Sequence, residues 1–94
     1  MVVTKNTIDE KLYECKTIAN KERADGNIRH YLYAWAVMTI ERYIVSGRAS
    51  TNWLLKFVTA DVEALMEAAA KYAGSDDECM KAINKFLRYK PADL

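Results

Sequence analysis

Apolar residues recur along this chain at helical spacing, and stretches of alternating polar and apolar residues are almost absent. Start and stop signals divide the pattern into four predicted helices, at about 8–24, 28–45, 51–73 and 76–89. The connections between them are short, which favours antiparallel neighbours. The sequence therefore predicts an all-α, compact four-helix domain over residues 1–94, with the second and third helices at its centre.

The predicted helix boundaries depend on capping residues. Thr7 and Glu10 have the spacing of a capping box at the start of the first helix. Asn27 is expected to cap the second helix, and Ser50 or Thr51 the third. The remaining signals are Gly47 as a left-handed stop, a second capping box at Ser75 and Glu78, and Pro91 beyond the last helix.

The third predicted helix has an apolar stripe with steps of 4, 4, 3, 4 and 3 residues. This spacing predicts one continuous helix as far as Ala73, ended by Gly74. The stripe consists of Leu54, Val58, Val62, Leu65, Ala69 and Tyr72.

The second predicted helix is apolar around most of its axis, with 13 of its 18 residues apolar or aromatic. In a small domain such a helix is either central or shares a face with another chain. Tryptophan, tyrosine, methionine and arginine concentrate in interface cores. The third helix carries a further aromatic strip outside its main stripe. The residues predicted for an interface are Tyr31, Trp35, Met38, Arg42, Trp53 and Phe57.

Composition and charge exclude several classes of protein. Apolar residues make up 51% of the chain, and 14 Lys and Arg against 13 Asp and Glu give a net charge of +1. No general attraction to nucleic acid or anionic membranes follows from this charge, so only a local patch could supply one. Cys15 and Cys79 are expected to be buried, reduced thiols, since no metal or disulfide spacing is present. With no signal-peptide pattern, we expect a soluble, cytoplasmic protein.

The sequence contains no catalytic constellation. It has no nucleotide-binding glycine loop, no nucleophile elbow and no zinc-protease motif, and its single histidine, His30, limits any acid-base pair. We therefore predict neither an enzyme nor a bound metal or cofactor.

Two sets of residues are candidates for an anionic ligand. The start of the second helix offers backbone N–H groups beside an arginine and tyrosines, which suits a nucleotide phosphate. Its predicted site residues are Asn27, Arg29, His30 and Tyr33. The last helix carries Lys81, Lys85 and Arg88 opposite its apolar face. These cations fit either a solvated helix face or a stripe that contacts nucleic acid.

The functional prediction is a small, non-catalytic helical protein that acts by occupying the surface of a protein partner, as an adaptor or inhibitor. A homodimer is one form of this prediction, and an accessory protein of a phage or mobile element would fit its size. The alternative is a nucleotide-binding or nucleic-acid-binding protein that uses one of the two sets of residues above.

Overall fold

Five α-helices form the protein over residues 2–91, the part of the chain that the computed structural model describes. No strand occurs within this range, so the all-α class is confirmed, while the helix count is five rather than four. The helices are α1 (Lys5–Ala24), α2 (His30–Val45), α3 (Thr51–Thr59), α4 (Val62–Ala70) and α5 (Asp76–Phe86).

The additional helix arises from a break in the predicted third helix. Ala60 has an extended backbone with φ −72° and ψ 152°. Asp61 then caps α4, because its Oδ1 accepts hydrogen bonds from the N–H groups of Glu63 and Ala64 at 3.1 and 3.3 Å. The Lys11 ammonium donates to the Ala60 carbonyl, which compensates for the interrupted helix. The prediction of one continuous helix is wrong because this local capping outweighs an uninterrupted apolar periodicity.

The first helix begins earlier than predicted, at Lys5. Its capping box pairs Thr4 with Thr7: the Thr7 N–H donates to Thr4 Oγ1 at 3.3 Å, and the Thr4 N–H donates to Thr7 Oγ1 at 2.9 Å. Glu10 accepts a hydrogen bond from the Asn6 side chain instead. The predicted box at Thr7 and Glu10 is wrong because a threonine hydroxyl at the third helical position replaces the expected carboxylate.

The last helix ends at Phe86, three residues before the predicted end. Arg88 adopts φ 53°, and the N–H of Tyr89 donates to the Asn84 carbonyl at 2.8 Å. Together with the bond from the Arg88 N–H to the Lys85 carbonyl, this closes the helix as a Schellman motif. By contrast, the predicted stop at Gly47 is confirmed, and Ser50, one of the two predicted candidates, caps α3. Ser75 caps α5 by accepting from the Glu78 N–H, but the Glu78 carboxylate accepts from Lys81, so only half of the predicted capping box is confirmed.

The helices enclose one apolar core. The helices α2 and α4 contact each other, and each of them also contacts α1 and α5. The short helix α3 packs against α1. The radius of gyration is 12.6 Å. The largest fully buried side chains are Trp53, Phe57, Ile40, Leu65, Met66, Ile83, Cys15 and Cys79.

Both cysteines lie in this core, as predicted. Burial raises the pKa of the Cys15 thiol to about 12 and also raises the pKa of the Cys79 thiol. Both thiols are therefore protonated at neutral pH, and neither is an activated nucleophile.

Within residues 2–91, no helix combines the length and the apolar character that a bilayer-spanning segment requires. The same part of the chain brings no three His, Cys, Asp or Glu residues together in a geometry suited to a metal ion.

Candidate functional site

One face of α2 and the turn before it expose a continuous row of mainly apolar side chains, here called the α2 stripe. Its members are spaced 3, 4, 3, 4 and 3 residues apart, the spacing of helices that pack against each other. Ile28 is 78% exposed, Tyr31 67% and Val45 85%, while Met38 is about half exposed. The α2 stripe consists of Ile28, Tyr31, Trp35, Met38, Arg42 and Val45.

The opposite side of α2 contributes to the core. Tyr33, Ala36, Val37 and Ile40 are buried there. One side of α2 therefore packs in the core and the other side faces solvent. Both sides are apolar, which accounts for the unusually apolar sequence of this helix. The surplus of apolar residues noted in the sequence lies at the surface of the chain.

A shallow depression of about 270 Å³ borders the stripe between α1 and α2. Met38 and Ala34 line it on α2, and Lys16 and Glu41 lie across its edge with Nζ and Oε1 3.6 Å apart. The apolar stripe is thus flanked by a charged pair, as a polar rim flanks the centre of many interfaces.

Arg42 is held by an acidic residue of α5. Its Nε and Nη2 atoms donate to the two carboxylate oxygens of Asp76 at 3.1 and 2.7 Å. The buried Thr39 hydroxyl lies 3.1 Å from Asp76 Oδ1 and 3.0 Å from the Trp35 carbonyl. The hydrogen bonds from Arg42 lower the pKa of the Asp76 carboxyl, with a smaller contribution from Thr39.

The sequence does not predict this cluster. An acidic residue in the first turn of a helix, such as Asp76, is already accounted for by capping and by the helix dipole. The sequence gives no sign that Arg42 and Asp76, 34 residues apart, form a pair, because the pair depends on how α2 packs against α5. As a consequence of this pair, the Arg42 guanidinium has a fixed position.

Trp53 and Phe57, which were predicted to lie at an interface with the α2 residues, are fully buried. The Trp53 indole N–H donates to Asn84 Oδ1 at 2.8 Å, and its ring stacks on Phe57 with centroids 5.4 Å apart. Since neither side chain reaches the surface, their assignment to an interface is corrected: they belong to the core.

The start of α2 uses its polar groups internally. Asn27 does not cap the helix as predicted; its Oδ1 accepts from the Arg29 N–H at 3.0 Å, and α2 begins at His30. The Arg29 guanidinium donates to the hydroxyl of Tyr33, which is buried, and His30 Nδ1 lies 2.9 Å from the Asn27 carbonyl.

The backbone N–H groups at the start of α2 also form hydrogen bonds within the protein. The N–H groups of residues 30–33 all donate to the carbonyls of residues 27–29. These N–H groups, which the nucleotide prediction requires, are therefore not free to bind a phosphate, because α2 begins two residues later than predicted.

The predicted cationic residues of the last helix meet in a groove. Lys81, Lys85 and Arg88 line a depression of about 590 Å³ between α4 and α5, here called the α4–α5 groove. Lys71 and Tyr72, at the end of α4, complete it. Neither residue was singled out as a ligand contact, because the sequence gives no sign that the end of α4 faces α5.

Charge in this groove is unevenly balanced. Among the described residues that line the groove, Glu78 is the only one with a carboxylate, and it pairs with Lys81, with Nζ and Oε1 3.3 Å apart. Within residues 2–91, the side chains of Lys71, Lys85 and Arg88 form no ion pair. The nearly neutral chain thus carries a locally positive groove.

Comparison with protein families, with curated proteins and with solved structures finds no match to this chain.

Proposed function

We propose that the protein is a non-catalytic binding protein of adaptor or inhibitor type, and that the α2 stripe is its contact surface. The observation that carries this proposal is the exposure of Ile28, Tyr31, Met38 and Val45 in one row. Monomeric proteins rarely leave a large contiguous apolar patch uncovered, because burying such a surface against a partner lowers the free energy.

The partner that fits the stripe best is a second copy of the chain in antiparallel orientation. A two-fold axis midway between Trp35 and Met38 relates the stripe to itself. Trp35 then faces Met38 of the second copy, which is a favourable sulfur-aromatic pair. Ile28 faces Val45 of the second copy in the same arrangement, so the apolar ends cover each other.

The single charge in the stripe favours this orientation. In a parallel pair, Arg42 would face Arg42 of the second copy, and like charges in an interface are destabilising. In the antiparallel pair, Arg42 faces the ring of Tyr31, a cation-π arrangement that contributes about 0.5–1 kcal/mol at exposed sites. Asp76 already holds the guanidinium in place, so less side-chain freedom is lost on pairing.

The expected dimer is weak. Residues 28–45 span about 27 Å at 1.5 Å per residue, and a single helix face of this length is smaller than the roughly 800 Å² per partner of a standard interface. We therefore expect a dissociation constant in the micromolar range. A value of 1 μM corresponds to a binding free energy of about −8 kcal/mol. Such a dimer forms and separates with modest changes in concentration.

Sedimentation equilibrium across low-micromolar to millimolar concentration tests the proposal. The mass is expected to rise from the 10.8 kDa of one chain towards twice that value. Met38→Glu places a charge beside the axis and is expected to keep the protein monomeric. The matched control is Tyr13→Glu, since Tyr13 is also exposed but lies on α1. A wild-type protein that stays monomeric at millimolar concentration, or a Met38→Glu dimer of unchanged affinity, contradicts the proposal.

A further inference from the structure

We propose that the α4–α5 groove binds a short single-stranded nucleic acid, with its phosphates on the cationic side chains and one base against the ring of Tyr72. This inference does not depend on the pairing of α2, because the groove residues lie on other helices. It concerns a local site on a chain whose overall charge is only +1.

The shape of the groove suits a flat ring. Small side chains of Ala68 and Ala82 line it beside the larger rings of Tyr72 and Phe86. Tyr72 is 48% exposed, so much of its ring is open to a ligand. The volume of about 590 Å³ lies within the roughly 300–1,000 Å³ of known ligand pockets.

The cations of the groove follow the axis of α5. Lys81 and Lys85 are four residues apart on α5, so their charges lie about one helical turn apart on one side of the helix. Arg88 follows in the turn that ends α5 and lines the same groove. A single anionic group would need only one or two of them. A linear row of cations suits a ligand with repeated charges, as a nucleic-acid backbone has.

Arg88 lies in the turn that ends α5. It is the sole non-glycine residue with positive φ within residues 2–91, a conformation that belongs to the Schellman motif and that glycine favours. An arginine therefore occupies a position where glycine is more favourable, and its side chain lines the groove. The Lys56 ammonium donates to the Arg88 carbonyl at 3.1 Å and supports this turn.

The open ring of Tyr72 beside the cations favours nucleic acid over an acidic peptide. Lys81 and Lys85 also line a second depression, together with Tyr89 and Lys90. Tyr89 packs partly against the core and its hydroxyl lies 2.7 Å from Ser50 Oγ, so Tyr72 is the ring that is open to a base. A polyanion that needed only charge would gain little from this ring, whereas every base has a face that stacks on it.

Fluorescence anisotropy with a labelled oligothymidine or oligouridine tests the site. If three phosphates are neutralised, the slope of log affinity against log salt should be about −2. Tyr72→Ala is expected to weaken binding about tenfold through lost stacking. Lys85→Glu should weaken it further, because it replaces an attraction with a repulsion. The matched controls are Tyr13→Ala and Lys21→Glu on α1, which should bind as the wild type does.

Arg88→Gly separates binding from folding. Glycine relieves the strained turn, so the melting temperature should stay unchanged or rise while oligonucleotide affinity falls. A merely structural role for Arg88 would leave affinity intact in this variant. That outcome contradicts the proposal.

Competition experiments identify the class of ligand. Polyglutamate and duplex DNA should displace the labelled strand poorly, and a mononucleotide should need far higher concentration than an oligonucleotide. Equal displacement by polyglutamate, with no effect of Tyr72→Ala, would establish a general polyanion or acidic-peptide site and overturn the inference. Absence of oligonucleotide binding at low salt would overturn it as well.

Discussion

Trp35 and Trp53 are the two tryptophans of this chain, and they occupy opposite environments. Trp53 is fully buried, stacked on Phe57 and hydrogen-bonded to Asn84. Trp35 lies in an exposed row on the outer side of α2. The same residue type thus completes the core in one region and forms a candidate contact surface in the other. Residue type alone does not distinguish the two tryptophans. The side of the helix on which each one lies, facing the core or facing away from it, does.

The break at Ala60 and Asp61 accounts for the burial of Trp53. A continuous helix would have directed its main apolar stripe inwards and left Trp53 and Phe57 on a second side. Because α3 and α4 are separate helices, each directs its own side to the core. In α2 one apolar side packs into the core and the other, which contains Trp35, lies at the surface.

The largest expected effect on stability comes from truncating Trp53, the buried tryptophan. Trp53→Ala should lower the free energy of unfolding by about 3–5 kcal/mol, because it removes a large ring from a packed site and leaves Asn84 without its donor. Tyr31→Ala on the α2 stripe should change it by less than about 0.5 kcal/mol in the monomer. Urea unfolding at low protein concentration, followed by far-ultraviolet circular dichroism, measures both values. Similar losses in the two variants would remove the distinction between core and stripe.

Much of this architecture could be predicted from local sequence signals. The all-α class, the caps at Ser50 and Ser75, the stop at Gly47 and the buried cysteines all depend on residues close together in the chain. The excess of apolar residues on α2 was also evident, because helical periodicity assigns each residue to a side.

The errors arose where a distant contact or a subtle cap decided the outcome. Asp61 was one acidic residue among many, and its capping role became visible only together with the lysine that reaches the Ala60 carbonyl from α1. The burial of Trp53 depends in the same way on Asn84, 31 residues away. For the candidate sites, the sequence predicts four members of the α2 stripe, from Tyr31 to Arg42, and the three cations of the groove. It does not predict Ile28 and Val45 at the ends of the stripe, nor the contributions of Asp76 on α5 and of Tyr72 at the end of α4.

An intermediate effect is expected from removing the cap that creates the break. Asp61→Ala should lower the free energy of unfolding by about 1 kcal/mol, since the N–H groups of Glu63 and Ala64 lose their acceptor. Asp61→Asn preserves an acceptor and should retain most of the stability. Thermal or urea unfolding of the two variants provides the comparison. An unchanged stability in Asp61→Ala would mean that packing alone maintains the division between α3 and α4.

The smallest expected effect is on the pH dependence of stability and concerns Asp76, which holds Arg42 of the α2 stripe. Arg42 lowers the pKa of Asp76 in the folded protein below its ordinary value of 3.8. This carboxylate therefore stabilises the fold above that value, and the contribution is lost as the pH falls through the folded pKa. Asp76→Asn should show a smaller loss of stability between pH 5 and pH 2 than the wild type.

A double-mutant cycle with Arg42→Gln checks the origin of this effect. If the bond between Arg42 and Asp76 is responsible, the double variant should resemble each single variant in its acid dependence. Additive changes would show that the two side chains act separately, and the fixed position assigned to Arg42 would then be wrong.

Site-directed cross-linking tests the antiparallel pairing of α2 most directly. Ile28 and Val45 lie at opposite ends of the stripe, about 26 Å apart along the helix axis, and the buried native cysteines should not react. A mixture of Ile28→Cys and Val45→Cys, treated with a short bismaleimide, should give covalent dimers that join the two variants. Each variant alone should remain largely monomeric. Efficient cross-linking within each single variant, or none in the mixture at millimolar concentration, would contradict the account.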